Sequence, residues 1–205
     1  TIWYMAASSP DESSARDGLV DRLLEHAASN GFSDSSLREL ASAVGTSHRM
    51  LIYHFGSRDG VIAAVVERME TNQRTELKSL AEEATTPTDL IARQWAHLSD
   101  PAIAPFVRLF FEIAAHAMFG RPGTEGFIES LTDPWIELGT RLAEHMGAEA
   151  DAAAIRLGIA VSRGLLLDAV ASGDPRPATD AMQRFLQMWE ATASTRLVPP
   201  PLQRG

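Results

Sequence analysis

The stretch that decides the fold is residues 36–58, SLRELASAVGTSHRMLIYHFGSR. Leu37, Leu40, Ala41 and Val44 fall at helical spacing and predict one buried face of a short helix. Ser36 followed by Glu39 reads as a capping box at its start, and Gly45 ends it. Thr46 or Ser47 then begins a second short helix that runs to about His54, before Gly56-Ser57 breaks the chain. Two short helices joined by a three-residue turn with glycine describe a helix-turn-helix, whose second helix enters a major groove. Its first turn offers Ser47, His48 and Arg49, with Met50 beside them. An arginine there can donate two hydrogen bonds to guanine O6 and N7. Tyr53 and His54 stand at the far end, where a phenol or imidazole reaches phosphate. Leu51 and Phe55 are expected in the core.

Charge supports this reading locally. The segment holds Arg38, Arg49 and Arg58 against Glu39, a local +2 on a chain whose net charge is −9. An acidic body repels nucleic acid on average, so contact with DNA must come from such a patch. Phosphate contacts set register and base contacts specify, so Ser36, Arg38, Thr46, Ser57 and Arg58 join the candidate DNA-binding set. Ser57 also caps the following helix, and a helix N-terminus favours phosphate.

Outward from this stretch, the pattern is helical almost throughout. Val20, Leu23, Leu24, Ala27 and Ala28 mark an amphipathic first helix stopped by Asn30-Gly31. A long fourth helix carries Val61, Ile62, Val65, Val66, Met69, Leu77 and Leu80. Thr86-Pro87 and Asp100-Pro101 look like caps followed by proline at the first helical position. Further helices are expected near 87–98, 101–119, 124–146, 149–172 and 177–196. Pro134 should kink or divide the seventh. The expected fold is all-α, with about nine helices: an N-terminal three-helix helix-turn-helix domain (16–60) and a C-terminal helical domain for ligand binding and dimerisation (61–197). Residues 1–15 read as a disordered arm, with Met5 a plausible initiator, and 198–205 as a tail that Pro199, Pro200 and Pro201 keep from helix.

Gly31-Phe32, Leu37 to Ala41, Val44 to Ser47, and Leu51 through His54-Phe55-Gly56-Ser57-Arg58 resemble the N-terminal domain of TetR-type transcriptional repressors, closely over about 19–66. Arg163-Gly164-Leu165 is similar to a stretch in many members. One position departs from the pattern: Ile52 stands where the family usually has a phosphate-contacting tyrosine, and Tyr53 follows it. Isoleucine cannot donate a hydrogen bond, so Tyr53, His54 and Arg58 are expected to take the phosphate role. Arg58 keeps the charge of the lysine usual near the start of the fourth helix.

The resemblance implies a small-molecule cavity and a homodimer in the C-terminal half. Trp95, Phe106, Phe110, Phe111 and Trp135, with His116 as a polar neighbour, are the candidate lining residues; each is equally a candidate for simple core packing. Arg93, Arg108 and Glu112 are the other nearby polar groups, and the last two have the spacing to pair with one another. An apolar or aromatic effector follows from this composition. For the dimer, Ile155, Gly158, Ile159, Ser162, Leu165 and Leu166 of the eighth helix and Met182, Phe185, Leu186 and Trp189 of the ninth are the candidate interface; the alternative is that the subunit's own core consumes them.

Several classes are disfavoured. Cysteine is absent, and the six histidines form no zinc pair. There is no phosphate-binding glycine loop and no apolar run long enough to span a membrane. No catalytic residue, metal or cofactor is expected, and the expected location is the cytoplasm. The function expected is a repressor released from a palindromic DNA operator by a small hydrophobic effector. The alternative is a helical sensor or scaffold without DNA binding.

Overall fold

Caps and helix breakers divide the chain into helices where the sequence puts them. In the computed structural model, residues 10–32 and 35–196 are described, and all their regular structure is helical. The segments are α1 (Pro10–Asn30), α2 (Leu37–Ala43), α3 (His48–Phe55), α4 (Arg58–Glu83), α5 (Pro87–Leu98), α6 (Ala104–Met118), α7 (Phe127–Ser130), α8 (Asp133–His145), α9 (Ala152–Ser172) and α10 (Pro175–Arg196). Side-chain oxygens of Ser36, Ser47, Thr86 and Asp151 accept amide hydrogens from the first turns of α2, α3, α5 and α9. These bonds satisfy donors that a helix start leaves without partners.

Some boundaries differ from expectation, and the division expected at Pro134 is present. Helix α1 already begins at Pro10, so residues 10–15 are not part of an arm. Proline is tolerated at the first helical position. The remaining arm residues, including Met5, and the tail 198–205 lie outside the described residues. Asp100-Pro101 opens a turn rather than a helix, with Ile103 N–H bonded to the Asp100 carbonyl, and α6 starts at Ala104. The helix expected over 124–146 is divided at Pro134 into the single turn α7 and the longer α8. The break strands the Leu131 carbonyl: Trp135 N–H bonds to Thr132 instead, and Pro134 has no N–H to give. Arg163 of α9 donates to that carbonyl. Its burial lowers the guanidinium pKa from the ordinary value.

The chain forms two compact units. The first takes in Thr1–Thr75 and Arg108–Glu129; the second takes in Glu76–Val107 and Ser130–Gly205. Helices α4 and α6 therefore each contribute to both. Residues 108–129 join the first unit because they pack into it. Gly123, at φ +84, lies so close to α4 that a Cβ there would stand 2.8 Å from both the Asp59 carbonyl oxygen and Ile62 Cβ. Leu23, Phe32, Leu40, Leu51, Val61, Val65, Leu109 and Ile113 of this unit are fully buried. Arg68 of α4 forks to Asp17 (2.6 Å) and Asp21 (2.5 Å) of α1.

In the second unit, Leu77, Leu90 and Leu138 form a core with Trp135, Leu142 and Met146 packed on it. Trp95 is buried, and its indole N–H donates to Thr179 Oγ1 at 3.1 Å. Gly158 of α9 lies under the Trp189 ring of α10, which meets Phe185 edge-on at 5.2 Å.

Candidate nucleic-acid interface

Between α2 and α3 the turn is closed by Thr46 N–H donating to the Ala41 carbonyl at 2.9 Å. Gly45 takes φ +68, a left-handed value that favours glycine. At the start of α2, Glu39 N–H donates to Ser36 Oγ and Ser36 N–H donates to Glu39 Oε2, the complete capping box. The Ser36 backbone N–H, and after it the Ser36 side chain, hold the Glu39 carboxyl below its ordinary range by hydrogen bonding.

Helix α3 is seated by one fully buried side chain, Leu51. His48, Arg49, Met50, Ile52 and Tyr53 are all exposed, Tyr53 by 65%. Tyr53 and His54 meet edge-on at 4.9 Å. Arg38 of α2 is exposed as well, and among the described residues neither Arg38 nor Arg49 is held by a hydrogen bond or ion pair. This face thus carries two available guanidiniums, an imidazole, a phenol and two apolar side chains. Such a set can donate to phosphate and base edges and can meet a thymine methyl. Phe55 is only half-buried, with the Arg16 guanidinium 5.3 Å from its ring centre.

Ser57 and Arg58 of the expected DNA-binding set also have structural work, as Ser36 and Ser47 do at the starts of α2 and α3. Ser57 Oγ accepts Gly60 N–H at 3.0 Å and caps α4. Arg58 turns back toward the chain: its Nε donates to the Ser35 carbonyl at 2.9 Å and its terminal nitrogen to the Phe32 carbonyl at 2.5 Å. These bonds use two of its five N–H donors. Sequence reasoning missed Glu112, which does not pair with Arg108 among the described residues but accepts Phe32 N–H at 3.0 Å. The signal was weak: a lone acid at helical spacing from an arginine looks like a local pair.

The candidate effector residues are distributed over both units. Phe110, Phe111 and His116 belong to the first, where Phe110 makes edge contacts with Phe111 and Phe127 at 5.3 and 5.9 Å. Trp95, Phe106 and Trp135 belong to the second. Trp95, buried and bonded to Thr179, and Trp135, packed on Leu77, Leu90 and Leu138, serve the core there. A small cavity of about 130 Å³ between α1 and α4 is lined by Arg16, Asp17, Glu67 and Arg68 among others; it is polar and below the size of a drug-like ligand site.

The candidate interface residues divide similarly. Gly158, Leu166 and Met182 are buried within the single chain. Ile155 sits so close to Gly139 of α8 that a Cβ at the glycine would meet Ile155 Cγ2 at 3.0 Å. Ile159, Ser162, Leu165, Phe185, Leu186 and Trp189 are partly buried. The opposite face of α9 is the open one: Ala153, Leu157, Ala160, Gly164, Leu167 and Ala171, alternately four and three apart, are all exposed. Leu157 and Leu167 are 54% and 50% exposed, and Met188 of α10 is 63% exposed. Among the described residues no group of three or more acids or histidines could hold a metal ion, and no helix is long and apolar enough to cross a membrane.

Residues 19–65 match the family model of bacterial regulatory proteins, tetR family. No curated protein sequence matches the chain. Among solved structures, a transcriptional regulator from Rhodococcus sp. Rha1 is similar at TM-score 0.69 and 20% identity, covering 85% of this chain and 95% of its own. A TetR-family transcriptional regulator from Pectobacterium atrosepticum is similar at TM-score 0.63 and 18% identity, covering 89% and 95%. A Saccharomonospora viridis protein in complex with choline is similar at TM-score 0.65 and 18% identity, covering 85% and 96%. At these identities the likeness is one of fold.

Proposed function

We propose that this chain, whose residues 19–65 match the model of the tetR family of bacterial regulatory proteins, acts as a dimeric repressor that a small apolar effector releases from a palindromic operator. The observation that carries this reading is the exposed side of α3. One leucine anchors the helix, while His48, Arg49, Met50, Ile52 and Tyr53 are left to solvent. Their chemistry suits a major groove. Arg49 is assigned to a base edge, Tyr53, His54 and Arg38 to phosphate, and Ile52 to an apolar contact.

Dimerisation is supported by the stripe on α9. An exposed apolar row repeating every seven residues is the pattern of a helix that packs against another helix. A second copy of α9 and α10 would cover it in a four-helix arrangement with twofold symmetry. That symmetry gives two reading helices spaced for two half-sites of a palindrome.

The effector reading rests on composition: Phe106, Phe110, Phe111 and His116 are only half-buried and offer aromatic surface with little charge. An effector shifts DNA binding only by the difference in its affinity for two states, and a tenfold loss of operator affinity needs about 1.4 kcal/mol. The choline held by the Saccharomonospora viridis protein supports a small effector, and, being a permanent cation, it does not bear on the apolar class. The test is a gel-shift titration with DNA from upstream of the protein's own coding sequence, followed by a thermal-shift screen of small ligands. A specific shift relieved by apolar compounds is expected. No specific shift would favour the sensor without DNA binding, and stabilisation by highly polar ligands alone would overturn the effector class.

A further inference from the structure

We propose that Glu112 and Arg58 set the angle of the reading helices by gripping one residue, Phe32, from its two ends, and that Glu112 is the positioning residue. The proposal rests on the DNA-reading role of α3. Phe32 lies in the connection between α1 and α2, outside any helix, so no helical partner takes its N–H or C=O. Its side chain is fully buried, which keeps those groups from turning freely to water. Buried main-chain groups must be paired somewhere. The N–H donates to Glu112 Oε1 at 3.0 Å, from a residue 80 positions away on α6. The carbonyl accepts from Arg58 at 2.5 Å, and the Arg58 Nε donates to the Ser35 carbonyl at 2.9 Å. An anion at the donor end and a cation at the acceptor end make both bonds charge-assisted, the stronger kind.

The connection has been shaped to admit the carboxylate. Gly31 takes φ +74, and a Cβ on it would stand 2.9 Å from Glu112 Oε2. The grip also falls on both ends of the helix-turn-helix. Ser35 immediately precedes the Ser36 cap of α2, and Arg58 is the first residue of α4, immediately after α3 and the Gly56-Ser57 break. Residues 36–57 are thereby tied at entry and exit to one another and to a carboxylate that comes from outside the motif. Withdrawal of Glu112 leaves the Phe32 N–H without its acceptor, a costly state for a buried donor, and frees the entry of the motif to move.

The test compares wild type, Glu112→Gln and Glu112→Ala. The probes are an operator selected by the wild-type protein from random duplexes and the same operator with one base pair inserted between half-sites. Amide exchange at Phe32 is followed in the intact protein. The expected result is a slow Phe32 amide in wild type and Glu112→Gln, whose side-chain carbonyl still accepts, and a fast one in Glu112→Ala. Glu112→Ala should lose about tenfold of the preference for native spacing, the effect of one charge-assisted bond, while Glu112→Gln keeps it. A loss of fold would lower binding to both duplexes alike and leave the ratio unchanged. A Phe32 amide exchanging at open-loop rate in wild type overturns the proposal, as does a Glu112→Ala protein that keeps the wild-type spacing preference. If the wild-type protein selects no duplex, the DNA-reading role fails instead, and the exchange measurement still decides the grip.

Discussion

Ser36, Ser47, Ser57 and Thr86 each accept one amide hydrogen at a helix start, at 3.3, 3.2, 3.0 and 3.1 Å. These bonds are local, fixed by three residues of spacing, and so were legible before any tertiary contact was known. Ser36→Ala removes the acceptor and leaves Glu39 to cap alone; a loss of roughly 1 kcal/mol in urea denaturation is expected, the usual cost of a helix cap. A local acid bond of another kind sits before α10. Three bonds from the Arg176 guanidinium and one from its backbone N–H pull the Asp174 carboxyl from the ordinary 3.8 down to about 2. A depressed carboxyl pKa contributes stability above its unfolded value, and that contribution fades as pH falls through about 2. Asp174→Asn should therefore melt lower than wild type at pH 7, and the gap should close near pH 2. Melting curves at both pH values check this, and a gap of equal size at each would contradict it. Glu112 and Arg58 were not legible in the same way. Their partners lie 80 and 26 residues distant, and no local pattern announces a side chain bonded to a remote main chain.

At the scale of elements, the ends of α2 to α5 follow turn and cap chemistry and were readable from the sequence. The Pro134 break was readable for the same reason. The role of Arg163 at that break was not, because it depends on α9 lying beside Leu131. Helix α9 shows the limit most clearly. It has apolar residues on two faces, and periodicity alone cannot say which one the chain keeps for itself. The inward face holds Gly158 and Leu166, while the row from Ala153 to Ala171 stays open. Its four-three alternation was present in the sequence as a heptad, hidden beside the richer inward pattern. The double substitution Leu157→Glu with Leu167→Glu should convert a dimer to a monomer, read by light scattering, with helical circular dichroism unchanged. A protein that stays dimeric would move the interface elsewhere.

For the whole molecule, the decisive tension is an acidic body, net −9, that must approach a polyanion. The arginines of this segment are Arg38, Arg49 and Arg58, the last bonded to neutral carbonyls that leave its charge in place. Each neutralised phosphate contributes about 0.9 to the salt slope, so for the proposed dimer the logarithm of operator affinity should fall with the logarithm of salt no more steeply than about −5. A much steeper slope, measured by fluorescence anisotropy, would place additional basic contacts outside α2 and α3. The central claim is that the outer side of α3 reads bases. It is tested most directly by titrating a labelled operator and a shuffled duplex with wild type and Arg49→Ala at one salt concentration near 0.15 M. The wild-type protein should prefer the operator by about a thousandfold or more, and Arg49→Ala should lose roughly 1–3 kcal/mol on the operator with little change on the shuffled duplex. Equal binding of both duplexes by wild type, or an Arg49→Ala protein that discriminates as well as wild type, would contradict it.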